Sequence, residues 1–94
     1  MTVLFLLPGY LRPFANGERE VAVELDGKTV GEALQALFER CPGVRDRVLS
    51  EDGRIRQHVN VFVGDESVRF LGGLDAKVEG EARITILPAV SGGR

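Results

Sequence analysis

The residues best suited to chemistry stand at the C-terminal end, Leu87-Pro88-Ala89-Val90-Ser91-Gly92-Gly93-Arg94. Pro88 ends any strand that precedes it, and small residues follow, so residues 89–94 are expected to form a flexible tail. A glycine pair has no Cβ atoms. It can lie extended in a narrow channel and carry a carboxylate into the active site of another protein. Gly-Gly pairs also occur at frayed chain ends, so the pair alone marks no function.

Other reactive side chains are few. Cys41 is the single cysteine and His58 the single histidine. One cysteine excludes an internal disulfide framework and any four-cysteine metal or iron–sulfur site. One histidine leaves no His pair for zinc and no evident base for a nucleophile. Cys41 falls at the expected C-terminus of a helix, where the dipole disfavours a thiolate, and reads as core or helix-end filler. His58, at the start of a strand, reads as a surface or hydrogen-bonded residue. The arginines at 40, 45, 47, 54 and 56 are interleaved with Glu39, Asp46, Glu51 and Asp52, the pattern of a solvated mixed-charge surface. Nothing marks Lys28 or Lys77, the only two lysines, as an attachment point. These counts leave no expected metal site and no evident nucleophile–base pair.

Composition narrows the classes further. The chain has 94 residues, 12 basic and 14 acidic, for a net charge of -2. That mild acidity, with no basic stripe, argues against nucleic acid as a partner. With 44% hydrophobic and 28% charged residues, the chain reads as one globular domain with one modest core. Val3 to Leu7 is too short to span a membrane and lacks the flanks of a signal peptide, so no membrane partner is expected. Low cysteine use fits a reducing compartment, and a cytoplasmic location is expected.

The elements that must position the tail follow from hydrophobic periodicity. Val3-Leu4-Phe5-Leu6-Leu7, ended by Pro8-Gly9, suits a central strand. Residues 8–17 read as a loop closed by an Asn16-Gly17 turn. Glu20 to Leu25 alternates as a half-wet strand that pairs with the first as a hairpin. Thr29-x-x-Glu32 is a capping box, after which Val30, Ala33, Leu34, Leu37 and Phe38 share one helical stripe. Cys41-Pro42-Gly43 stops that helix, and Val44, Val48 and Leu49 allow one further short turn. His58 to Val63 alternates again, Ser67 to Phe70 reads as a short edge strand, Leu71 to Val78 as a turn-rich crossing, and Ala82 to Leu87 as the last strand. The Gly72-Gly73 pair within that crossing is a turn. One amphipathic helix covers only one face of a mixed sheet, which gives an α+β chain with a ββαββ, β-grasp (ubiquitin-like) plan. The expected division is 1–88 for this domain and 89–94 for the tail.

The face without a helix is unusual. If Val3, Phe5 and Leu7 point at the helix, then Leu4 and Leu6 point away, and the same parity turns Phe62 and Leu87 outward. These four residues would form one exposed apolar patch of the kind that marks binding surfaces. A register error of one residue, or cover from residues 8–17, would remove the patch.

Three stretches carry a resemblance to a known family: His58-Val59-Asn60-Val61-Phe62-Val63, Asp65-Glu66-Ser67-Val68-Arg69-Phe70-Leu71-Gly72-Gly73-Leu74 and Ile84-Thr85-Ile86-Leu87-Pro88-Ala89-Val90-Ser91-Gly92-Gly93. Over essentially its whole length the chain resembles the ThiS/MoaD family of ubiquitin-like sulfur carrier proteins. The Leu11-Arg12-Pro13 loop and the stretch Val68-Arg69-Phe70-Leu71-Gly72-Gly73-Leu74 look most like the CysO-type carriers of cysteine biosynthesis, and the MoaD-like carriers of molybdenum cofactor biosynthesis come next. The resemblance implies a protein substrate and carrier rather than an enzyme, with no catalytic residue and no bound cofactor of its own. An E1-like adenylating enzyme of the MoeB/ThiF type uses ATP to activate the terminal glycine. Sulfur then replaces AMP to give a thiocarboxylate, which a cysteine synthase-like enzyme or the large subunit of molybdopterin synthase accepts. By position Gly93 is the residue adenylated and loaded with sulfur, and Gly92 gives steric access. Leu4, Leu6, Phe62, Leu87, Pro88 and Val90 are the expected partner-binding residues. Arg94 departs from the pattern and implies a processing step, for which some relatives use a JAMM-type metallopeptidase; the alternatives are an Arg94 foreign to the natural chain and a chain that is not activated at all. A ubiquitin-like modifier joined to lysines through Gly93 is the alternative, and a plain β-grasp interaction module is a third.

Overall fold

The computed structural model describes residues 1–88. Five strands form one mixed sheet in the order β2-β1-β5-β3-β4. They are β1 (Thr2–Leu6), β2 (Glu20–Glu24), β3 (Val59–Val63), β4 (Glu66–Ser67) and β5 (Ala82–Pro88). β1 and β5 run parallel in the middle, and the other three pairings are antiparallel. Two helices, α1 (Val30–Arg40) and α2 (Pro42–Val48), complete the β-grasp plan.

Alternation within the strands selects the core. Val3, Phe5, Val21, Val23, Val59, Val61, Ile84 and Ile86 are all buried, and so is the α1 stripe of Val30, Ala33, Leu34, Leu37 and Phe38. These side chains form one continuous cluster, the condition for a chain this small to fold alone. The capping box starts α1. Thr29 Oγ1 accepts from the Glu32 amide at 3.2 Å, and Glu32 Oε1 accepts from the amides of Lys28 and Thr29 at 2.9 and 3.2 Å. α1 ends at Arg40, where Cys41 caps it, and Pro42 then opens α2 at a position that needs no N–H donor.

Three sequence expectations need correction. Residues 8–17 are not a loop throughout, because Gly9–Ala15 form a 3-10 helix. Leu11 and Ala15 are buried in the core and the segment packs against α2, which supplies the burial that ordered it. The Asn16-Gly17 turn stands as expected, with both residues at positive φ, 55° and 80°. The short turn after Cys41 is a seven-residue helix that buries Val44 and Val48. The edge strand stops at Ser67, and Val68–Phe70 turn into a one-turn 3-10 helix, so Val68 alone reaches the core. The expected α+β, β-grasp plan stands, with its five strands and the main helix α1, and α2 beside it. The Gly72-Gly73 turn holds, with φ of 103° and 66°.

Candidate functional site

β5 is the middle strand, and its outward residues set the geometry of the open face. Thr85 lies between Leu6 on β1 and Phe62 on β3. One step along, Arg83 lies beside Leu4, and in the other direction Leu87 lies opposite Asn60. Adjacent strands are about 4.8 Å apart, which puts Leu6 and Phe62 roughly 10 Å from each other across Thr85. Leu4, Leu6 and Phe62 are half-buried, and Leu87 is 42% exposed. The 3-10 helix does not bury any of the four, so the expected parity is the observed one. Pro88 is exposed at the rim, opposite Val59.

The charges on this face are few and sit mainly at its edges. Glu20 and Glu24 project from the edge strand β2, and Arg83 from β5. Glu24 is already engaged, accepting from Thr2 Oγ1 at 2.7 Å with the N-terminal ammonium 3.9 Å away. Leu6 shares a shallow depression with Arg12, Arg19 and Glu20. The surface thus carries Leu4, Leu6, Phe62 and Leu87 around a central Thr85, with Asn60 and Arg83 beside them, a mixed apolar and polar face of the kind protein interfaces present.

Val90, Gly92, Gly93 and Arg94 lie outside the described residues. What the described part supplies is the exit: β5 runs through the centre of the sheet and delivers Pro88 at the apolar end of the face.

The residues set aside on sequence grounds sit as follows. Cys41 is buried at the junction of α1 and α2, and that burial pushes its thiol pKa up. His58 is exposed. Arg45 pairs with Asp46 at 3.0 Å and Arg54 with Asp52 at 3.5 Å, while the Arg47 guanidinium stacks 3.6 Å over the Phe14 ring. Arg40 donates to the carbonyl of Ala22 on the edge strand. Among the described residues no helix is long and apolar enough to cross a membrane.

Phe70, part of a stretch that carries the family resemblance, is not among the expected partner-binding residues. As part of an edge strand it would have alternated into a face; instead it is 87% exposed, more than any other large apolar residue described. The available signal was Ser67 followed by Gly72-Gly73, a cap and a stop around one helical turn. The Ser67 hydroxyl does accept from the Arg69 amide, at 3.3 Å.

Comparison with known proteins agrees with this architecture. The family model described as ThiS family matches residues 5–93. The sequence is 37% identical to the sulfur carrier protein CysO of Mycobacterium tuberculosis, over 99% of this chain and 100% of that one. It is 40% identical to small archaeal modifier protein 1 of Haloferax volcanii, over 82% of this chain and 85% of that one. The crystal structure of the BexX/CysO complex of Amycolatopsis orientalis contains a chain that superposes with a TM-score of 0.84 at 41% identity, covering 97% of this chain and 99% of that one. With this sheet order, this open face and matches over nearly the full length, the chain belongs to the ThiS family.

Proposed function

We propose that this chain is a sulfur carrier whose working end is Gly93. The observation that carries the reading is the end-to-end match to CysO, a sulfur carrier protein. The family match also runs to residue 93 and leaves out only Arg94 at that end. Gly93 bears a free carboxylate only once Arg94 is removed, so trimming, by a JAMM-type metallopeptidase or an equivalent enzyme, precedes activation.

The chemistry then needs no catalytic side chain from this chain. A carboxylate is a poor electrophile. In an E1-like enzyme its oxygen attacks the α-phosphorus of ATP, pyrophosphate leaves, and an acyl adenylate forms. A sulfide-equivalent nucleophile adds to the carbonyl carbon, the C–O bond to AMP breaks, and a thiocarboxylate and AMP result. The acceptor is a biosynthetic synthase of the cysteine or molybdopterin type. In this reading Gly92 and Gly93 supply thinness, and Leu4, Leu6, Phe62, Leu87, Pro88 and Val90 supply docking.

The match to small archaeal modifier protein 1 favours a second reading, in which the activated glycine forms an isopeptide bond with a lysine. The two share activation and part at the acceptor. Mass spectrometry separates them. The chain ending at Gly93, with ATP, a MoeB/ThiF-type enzyme and a sulfide source, is expected to gain about 16 Da, the difference between sulfur and oxygen. Lysine conjugates in cells without that gain would favour the modifier. Native protein that works while still bearing Arg94 would overturn the trimming step.

A further inference from the structure

β2 is an edge strand of the sheet, and its five residues, Glu20-Val21-Ala22-Val23-Glu24, read the same from either end. Val21 and Val23 are buried, and Glu20, Ala22 and Glu24 are exposed. The Leu7 amide donates to the Arg19 carbonyl and the Leu25 amide to the Met1 carbonyl, both at 2.8 Å. With β1 and β2 in antiparallel register, those bonds put the odd-numbered residues of β2 in the ladder with β1. The amides and carbonyls of Glu20, Ala22 and Glu24 therefore point off the sheet, where a further strand can pair.

The strand that fits this edge is a second copy of β2. Laid antiparallel and centred on Ala22, it sets Ala22 against Ala22, Val21 against Val23 and Glu20 against Glu24. The valines match in size, and Ala22 is too small to hold the copy off. Charge and one side chain oppose the pairing. Glu20 and Glu24 share the open face, and this register brings them opposite each other twice, with Cα atoms about 5.5 Å apart. Like charges so placed destabilise a strand pair. From the helix side, Arg40 in the last turn of α1 donates to the Ala22 carbonyl, the acceptor at the centre of the two-fold. A second strand must displace that guanidinium before the central pair forms.

We infer that β2 is a self-pairing edge for a second copy of this chain, held closed by Glu20, Glu24 and Arg40, so that the folded chain stays single. The inference stands apart from the proposed activation of Gly93, and either can fail without the other.

The test uses the full chain, with sedimentation equilibrium for mass and thermal melting as the fold control. Glu20→Lys sets a cation opposite each Glu24 and leaves the bond from Thr2 to Glu24 in place. Arg40→Ala frees the central carbonyl. The wild type is expected to stay single from micromolar to millimolar concentration. The double variant Glu20→Lys/Arg40→Ala is expected to double in mass and to slow hydrogen exchange of the Ala22 and Glu24 amides by about 10-fold or more. Where Arg40→Ala lowers the melting temperature, Glu20→Lys alone replaces the double variant, and a measurable dimer is still expected. A wild type that already pairs, or a folded variant that stays single, overturns the inference. A dimer whose Ala22 amide exchanges as fast as in the single chain uses another surface and overturns it equally.

Discussion

Thr85 stands opposite Phe62, in the middle of the face that the helices leave open. Leu6 flanks the same threonine from the parallel strand, so a charge at position 62 would sit at the centre of the open face. Phe62→Glu is expected to weaken binding of the proposed activating enzyme by roughly 10- to 100-fold, the scale of an interface hot spot. The side chain is half-buried and points away from the core, so melting and circular dichroism should change little. Unaltered affinity would remove Phe62 from the binding surface.

Thr29 and Glu32 satisfy each other's end of α1. Thr29→Ala is expected to cost about 1 kcal/mol, which in a domain of this size lowers the melting temperature by about 4–8 °C. Differential scanning calorimetry measures this directly.

The same box predicts an acid limb. Hydrogen bonds from the Lys28 amide first, and then from the Thr29 side chain, hold the Glu32 carboxyl below its ordinary value of 4.5. A group lowered in the folded state contributes fully above its unfolded pKa and loses that contribution as pH falls through the folded one. The loss therefore begins near pH 4.5 and continues below it. Asp52, lowered chiefly by the Ser50 hydroxyl, adds to the same limb. Glu32→Gln keeps a capping side chain without the titration, so its melting temperature should fall less than wild type between about pH 6 and about pH 3. Parallel curves would show that Glu32 adds nothing to the limb.

Leu37 is fully buried where α1 meets the sheet. Leu37→Ala removes three heavy atoms from a packed site and is expected to cost about 2–5 kcal/mol. In a chain of this size that is a large share of a total stability of about 5–15 kcal/mol. The urea midpoint should fall sharply, and a shift equivalent to under 1 kcal/mol would mean that the core closes over the gap.

Cys41 should report opening of the helical layer. Burial both shields it and raises its pKa, so a thiol reagent at about pH 8 meets little thiolate. Labelling is expected to be many-fold slower than for a free thiol and to reach the free rate in urea. Fast labelling of the folded chain would mean that the junction of α1 and α2 opens easily.

The sequence was most legible where one periodicity ran without competition. The α1 stripe and the alternation of β1, β3 and β5 each fixed which side chains turn inward, and the outward positions of Leu4, Leu6, Phe62 and Leu87 followed. Legibility failed where tertiary contacts chose the backbone. Leu11 and Ala15 are ordered by burial against α2, and neither shows a helical period in so short a stretch. Val68 to Phe70 has strand-like residue types, but one buried anchor and the bonds from Arg69 to the carbonyls of Arg56, Gln57 and Val59 select a turn. Local propensity carries no information about a carbonyl ten residues away.

The parallel pairing of Val3 with Ala82 places the beginning and the end of the described chain side by side in the middle of the sheet. A ribosome releases Val3 early and Ala82 late, so the hairpin of β1 and β2 and the pair β3 and β4 must wait as separate pieces until β5 emerges between them. Contacts of such long sequence separation make folding slow and cooperative. Quality control follows from the same order of events. The strand that leads out of the described domain is also the last one needed to close the core, so a chain halted before β5 has neither a closed core nor a complete open face.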